Sequence, residues 1–195
     1  MAISAVILSG GRATRMGGVD KGLVNFQGKP LVQHVIERIQ PQVDEVFINA
    51  NRELPTYKSF GVPVFTDDQA DFIGPLAGFY IGLLHAKHPY LLTIPCDSPL
   101  MPFDIANRLY RSLDALNADI AVAKSDGHAH PVISLCRTAL LPSLRNAIQQ
   151  GERKVSAWQK SQQYIEVDFD DSREAFINLN TLHDVAELES QHLGI

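Results

Sequence analysis

Three cations share one glycine-rich stretch. Arg12, Arg15 and Lys21 lie among Gly10, Gly11, Gly17 and Gly18. Glycine lets backbone N–H groups approach a ligand closely. An arginine can fork onto two phosphate oxygens, and a lysine adds a point charge. Two glycines alone would read as readily as a surface turn, but glycines and cations together point to a polyphosphate. The stretch is neither a GxxxxGK[ST] loop nor a GxGxxG fingerprint, so it is not a P-loop and does not indicate a dinucleotide cofactor. Asp97 stands between Pro95 and Pro99 after the most hydrophobic run of the chain. Alone it reads equally as a turn residue or helix cap. Opposite a phosphate loop it is where Mg²⁺ would be held, because Mg²⁺ takes one or two carboxylates and completes its shell with substrate phosphates. Chemistry of this kind needs no protein nucleophile. Positioning and charge suffice for phosphoryl or nucleotidyl transfer.

The elements that must position these residues alternate. Residues 3–9 form a short, β-branched apolar run that stops at the paired glycines, the mark of a buried strand. Further strands are expected at 43–49, 62–66, 90–94, 119–123, 132–136 and 164–169, with a short extended piece at 22–26. Helices are expected from Pro30 to about Ile39, around 53–60, from Pro75, from Pro102 to about Leu116, at 138–149, after Lys154 and at 181–192, the last capped by Asn180 or Thr181. Residues 125–131 read as a loop. The alternation predicts an α/β fold with a mostly parallel sheet. In such sheets ligands bind outside the carboxyl ends of the strands. Those ends carry the glycine loop, Asn49, Asp67 and Asp97, which define one rim. Asn49 and Asp67 could equally cap a sheet end and solvate a turn, with Asp68 beside it, but their shared rim favours base or ribose recognition.

Composition narrows the function classes. The chain has 195 residues and a formal net charge of −5, with 45% apolar residues. That length suits one domain, and the charge offers no global basic field for nucleic acid. No apolar run approaches the roughly 20 residues of a membrane span, and the N-terminus lacks the pattern of a secretory signal. Cys96 and Cys136 are far apart and belong to no CxxC pair, so reduced thiols in a cytoplasmic protein are expected. Cys96 reads as a small buried hydrophobe rather than a nucleophile. His128 and His130 resemble half a metal site, but no third ligand is suitably spaced, and a polar loop lining the cleft is the better reading. His85 and His88 fall at a helix end, where cations are favourable. With no heptad seam, a monomer is expected.

The run Leu8-Ser9-Gly10-Gly11, with Arg15-Met16-Gly17 and Lys21 following, resembles the signature loop of nucleotidyltransferases that activate sugar phosphates. Further motifs bring it nearer to the molybdenum cofactor guanylyltransferases within that superfamily: Asp20-Lys21-Gly22, Gly28-Lys29-Pro30-Leu31, Asn49-Ala50-Asn51-Arg52, Gly74-Pro75-Leu76-Ala77-Gly78, Pro95-Cys96-Asp97-Ser98-Pro99, Gly151-Glu152-Arg153-Lys154 and Phe176-Ile177-Asn178-Leu179-Asn180-Thr181. They run in order across nearly the whole chain. The resemblance implies a Rossmann-like three-layer α/β/α fold of the nucleotide-diphospho-sugar transferase type, in one domain over 1–195. Residues 1–100 would be its GTP-binding half and 101–195 its molybdopterin side.

It implies transfer of GMP from GTP to molybdopterin with Mg²⁺ as cofactor. Leu8, Ser9 and Gly10, with Gly11 beside them, match the loop that contacts GTP. Lys21 matches the phosphate-binding lysine, Asn49 and Asp67 the guanosine contacts, and Asp97 the aspartate that binds GTP and Mg²⁺. Arg15, Lys21 and Asp97 would be catalytic. Gly151–Lys154 and Asn178–Asn180 lie on the side used for the pterin. Ser9 departs from the alanine common in the family, within the same demand for a small residue. The resemblance also implies transient contacts with proteins of molybdenum-cofactor synthesis and with molybdoenzyme chaperones. The residues alone do not choose the base. A cytidylyltransferase of the same cofactor, a sugar-1-phosphate nucleotidyltransferase and a non-catalytic nucleotide sensor are the alternatives.

Overall fold

The computed structural model describes residues 1–10, 20–67, 74–177, 179 and 181–192. Gly11, Arg12, Arg15, Gly17, Gly18, Asp68, Asn178 and Asn180 lie outside the described residues. The chain runs β1 (Ile3–Leu8), β2 (Asn25–Phe26), β3 (Lys29–Pro30), α1 (Leu31–Ile39), β4 (Glu45–Asn49), α2 (Leu54–Lys58), β5 (Val64–Phe65), α3 (Pro75–His85), β6 (Tyr90–Pro95), α4 (Ile105–Ala115), β7 (Ile120–Ser125), β8 (His128–Arg137), α5 (Leu141–Gln149), α6 (Val155–Lys160), β9 (Tyr164–Asp168) and α7 (Leu182–His192).

Seven strands form one sheet in the order β5-β4-β1-β6-β8-β7-β9, and β2 pairs with β3 in a separate ribbon. In the large sheet β8 runs antiparallel to both its neighbours, and the other pairings are parallel. The α/β prediction and the mostly parallel sheet therefore hold. The period of two divides the strand residues between two helical layers. Ile3, Ala5 and Ile7 of β1 pack with α1 and α4, whereas Val6 packs with α3, α5 and α6. β1 is buried along nearly its whole length, as expected for a parallel strand covered on both faces. α3 is buried on almost every side, and it carries apolar residues all round rather than on one stripe.

Several boundaries differ from expectation, each for a local reason. The third strand shrinks to Val64–Phe65 at the sheet edge. The helix after Pro102 begins only at Ile105. The extended piece at 22–26 splits into a 3₁₀ turn, Lys21–Leu23, and β2. The expected loop at 125–131 is mostly strand: β8 already starts at His128. Asp126 and Gly127 have φ of 49° and 73°, and a two-residue turn with both φ positive closes a tight hairpin. The final helix is capped as expected, by Thr181. Its Oγ1 accepts from the Asp184 N–H at 3.1 Å, and Asp184 Oδ2 accepts from the Thr181 N–H at 2.9 Å. α7 then packs through Val185 and Leu188 against Val24, Phe26, Leu31 and Leu179. This small core ties the C-terminal helix to the ribbon that follows Lys21.

Candidate functional site

The register of the sheet places the rim residues side by side. Leu8 lies opposite Asn49 on one flank and Pro95 on the other, and Asn49 lies opposite Phe65. Two residues past each of these positions stand Gly10, Asn51, Asp97 and Asp67. The ladder continues beyond the strands. The Ser9 N–H donates to the Asn49 carbonyl at 2.9 Å, and the Cys96 N–H donates to the Leu8 carbonyl at 3.1 Å. Leu8, Ser9 and Gly10 are thus held between Asn49 and the Cys96–Asp97 turn.

One end of this rim is an amide–carboxylate cluster. Asn49 Nδ2 donates to Asp67 Oδ1 at 2.8 Å and to the Phe65 carbonyl at 3.3 Å. Asn51 Nδ2 donates to Asp67 Oδ2 at 2.6 Å, and Asn51 Oδ1 accepts from the Asp67 N–H at 2.8 Å. Asp67 is therefore gripped from both sides. Asn51 was not among the expected contacts. Its signal was present: it stands one strand-face repeat beyond Asn49. Gly78 of α3 fits under this cluster because it has no side chain. A Cβ there would sit 2.7 Å from Leu8 Cδ2 and 2.9 Å from Asn49 Oδ1.

The other end brings Lys21 to Asp97. Lys21 Nζ donates to Asp97 Oδ2, a contact across 76 positions of sequence. Asp97 is 8% exposed, so this ion pair sits largely out of water, where charge interactions are stronger. The backbone carbonyl of Asp97 accepts from the Leu179 N–H at 3.2 Å. Asp97 thus touches the glycine-loop end with its side chain and the C-terminal segment with its main chain.

Beneath Lys21 lies a buried polar nest. Asp20 accepts from the Tyr57 hydroxyl and, at 3.3 Å, from the Gly22 N–H, with Arg52 NH2 at 3.9 Å from its other oxygen. Tyr57 is fully buried. Burial, with the hydrogen-bonded carboxylate of Asp20, pushes its phenol well above the ordinary tyrosine range. Burial and the neighbouring Asp97 push the Cys96 thiol up to about 12. Cys96 is therefore a buried neutral thiol, as expected, and burial does the same to Cys136. The Ser9 hydroxyl is buried, with no hydrogen-bond partner of good geometry among the described residues.

On the far side of Asp97 the hairpin β7–β8 presents two histidines. His128 Nδ1 lies 2.7 Å from the Asp126 carbonyl and His130 Nε2 lies 2.8 Å from Ser125 Oγ. The His130 ring stacks on Phe176 with centroids 4.9 Å apart. Burial, with help from His128, lowers the His130 pKa. Among the described residues no three His, Cys, Asp or Glu side chains gather to hold a metal. His85 ends α3 and stacks on Phe65 at 3.8 Å. Glu152 accepts the N–H groups of Arg153 and Lys154, both at 2.8 Å, and these bonds hold its carboxyl below the usual range. Arg15 and Gly11 lie outside the described residues.

A mixed, mostly parallel sheet with a lysine, an aspartate and an amide–carboxylate cluster at adjoining strand ends is the arrangement expected of a nucleotidyltransferase. The comparisons with known proteins agree. Residues 5–164 match the family described as the MobA-like NTP transferase domain. The chain is 46% identical to a molybdenum cofactor guanylyltransferase of Bordetella petrii over 190 residues, 95% of this chain and 96% of that one. It is 48% identical to one from Acidovorax ebreus, covering 96% and 95%. The chain belongs to the molybdenum cofactor guanylyltransferase family. Its fold matches the crystal structure of molybdopterin-guanine dinucleotide biosynthesis protein A from Archaeoglobus fulgidus, with a TM-score of 0.81 over 98% of this chain and 100% of that one at 22% identity. Among the described residues no helix is long and apolar enough to cross a membrane.

Proposed function

We propose that guanylyl transfer, the reaction of this family, takes place on the rim between Asn49 and Asp97. The enzyme joins the GMP of GTP to molybdopterin and releases pyrophosphate. In the reading we favour, the molybdopterin phosphate attacks the α-phosphorus in line, the bond from the α-phosphorus to the bridging oxygen breaks, and that oxygen leaves with pyrophosphate. The single observation that carries this reading is the Lys21–Asp97 pair beside the carboxyl end of β1. It places a phosphate-seeking cation and a metal-seeking carboxylate on one spot.

Leu8, Ser9, Gly10 and Gly11 would contact GTP, with main-chain N–H groups beyond the sheet ladder offered to the triphosphate, and Lys21 with Arg15 would neutralise the charge that builds on the leaving oxygens. Asn49 and Asp67 receive the guanosine. An ionised carboxylate only accepts hydrogen bonds, and the Watson–Crick edge of guanine offers adjacent N1–H and N2–H donors, which suits Asp67. Its two oxygens are already aimed by Asn49 and Asn51. Asp97 would be the protein's ligand to Mg²⁺, and one hard carboxylate is the share a protein supplies when phosphates provide the remaining ligands. When bound, Mg²⁺ supplies further charge neutralisation on the phosphates.

Residues 1–100 then form the GTP half and 101–195 the molybdopterin half, with Gly151–Lys154 and Asn178–Asn180 meeting the pterin. The enzyme works as a cytoplasmic monomer that passes its product on through transient contacts with other proteins of cofactor synthesis and with molybdoenzyme chaperones. The test is guanylyl transfer by Asp97→Asn in saturating GTP, molybdopterin and Mg²⁺. A fall of about a hundredfold or more is expected, and a near-normal rate would remove Asp97 from the metal site.

A further inference from the structure

Asp20 is a carboxylate to which the proposed transfer reaction gives no role, yet it is only 7% exposed. A buried charge is costly unless it is hydrogen-bonded and paired, and this one takes three partners from three parts of the chain. The Tyr57 hydroxyl of α2 and the Gly22 N–H both donate to Oδ1, and Arg52 lies near Oδ2. Gly22 completes the fit. A Cβ there would lie 2.6 Å from the Tyr57 hydroxyl oxygen and 3.3 Å from Cys96 Cβ and Sγ. The main chain at 20–22 is therefore seated against Tyr57 and Cys96, and between the two seated residues stands Lys21, whose ammonium reaches Asp97.

We infer that Asp20 and Tyr57 are positioning residues for Lys21: their buried hydrogen bond sets the height and direction from which the lysine meets the phosphates. Lysine has four rotatable bonds and loses much rotamer freedom when ordered. Fixing its main chain on both sides leaves only the side chain to be ordered by the ligand, which is how preorganisation raises affinity. The inference rests on the phosphate-binding role of Lys21 and does not depend on which base or acceptor the enzyme uses.

The probe is therefore inorganic pyrophosphate with Mg²⁺, titrated into the full chain by calorimetry. Four proteins form a cycle: wild type, Tyr57→Phe, Lys21→Gln, and the double variant, each with its thermal midpoint recorded. Lys21→Gln alone tests the underlying reading, because unchanged pyrophosphate binding there would remove the lysine from the phosphate site. The positioning role predicts that Tyr57→Phe weakens binding about tenfold when Lys21 is present and less than about twofold when it is absent, while the midpoint falls equally in both backgrounds. Equal loss of binding in the two backgrounds would make Tyr57 a structural residue and overturn the inference. So would undiminished binding in Tyr57→Phe. Gly22→Ala supplies a second route, since its Cβ collides with the same hydroxyl. The expected loss is again confined to proteins that keep Lys21, and a loss that persists without it would count against the inference.

Discussion

The two flanks of the rim are built differently. On the flank formed by β5, β4, β1 and β6 the charged and amide side chains of the rim pair with one another, while the Ser9 hydroxyl does not. Asn49 and Asn51 hold Asp67, Tyr57 holds Asp20, and Lys21 meets Asp97. Asn49, Asp20 and Asp97 are all buried. On the flank formed by β8, β7 and β9 and the helices after them, His128 and Lys154 are exposed, and Arg153 spends its guanidinium on the main-chain carbonyls of Ile148 and Glu152. Groups fixed by buried partners cost little reorganisation when a ligand arrives, whereas exposed long side chains must be ordered by it. On the proposed reading, the described residues of the first flank form a nucleotide wall that is set before any acceptor binds, and the second flank is an acceptor wall ordered by its ligand. Asp97 joins them, because its carboxylate belongs to the first flank and its carbonyl receives Leu179 from the second.

Breaking the paired flank has the largest expected effects. Lys21→Ala removes the cation that meets Asp97 and, on the proposed reading, one of the cations on the phosphates, and kcat/KM for GTP should fall about a hundredfold in a pyrophosphate-release assay. Gly78→Ala forces a methyl to within 2.9 Å of Asn49 Oδ1. It should raise the KM for GTP about tenfold while molybdopterin KM stays near wild type, because the collision lies on the nucleotide flank alone. Asn51→Ala removes both of its bonds to Asp67 and should raise the KM for GTP about fivefold with kcat nearly unchanged, as expected when uniform binding is lost. Thr181→Ala breaks the reciprocal cap of α7 and should cost about 1 kcal/mol of stability, read from denaturant unfolding.

The smallest effect belongs to His130. Its folded-state pKa is depressed below its unfolded value, so the unfolded chain binds the proton more tightly. Stability is therefore lost as pH falls through and below about 6.5. His130→Gln should remove about 1–2 °C of the fall in Tm between pH 7.5 and pH 5.5, measured against wild type in the same buffers. An unaltered pH slope would show that His130 does not carry this term.

Local pattern made much of the fold and part of the site legible. Alternating apolar runs gave the layers, and the strand-end positions of Asn49, Asp67 and Asp97 announced a shared rim. What stayed hidden depends on partners distant in sequence. Nothing near Asp20 reveals that its partner is Tyr57, 37 positions away, and nothing near Lys21 reveals Asp97 as its contact. The reversed direction of β8 was hidden for a different reason. Asp126–Gly127 is a strong two-residue hairpin signal, but Pro131 within the run argues against a strand interior, so His128-Ala129-His130-Pro131 reads as a loop. The close approach of α3 to the rim was equally invisible, since a glycine within a helix declares no contact of its own.

The comparison of the two flanks is tested most directly by titrating GTP and CTP, each with Mg²⁺, into the protein in the absence of molybdopterin. A preassembled nucleotide wall predicts that GTP binds alone, saturably and at one site, with CTP at least about tenfold weaker, the cost of losing a guanine donor pair to Asp67. GTP binding that appears only after molybdopterin is added, or CTP binding as tight as GTP, would contradict it.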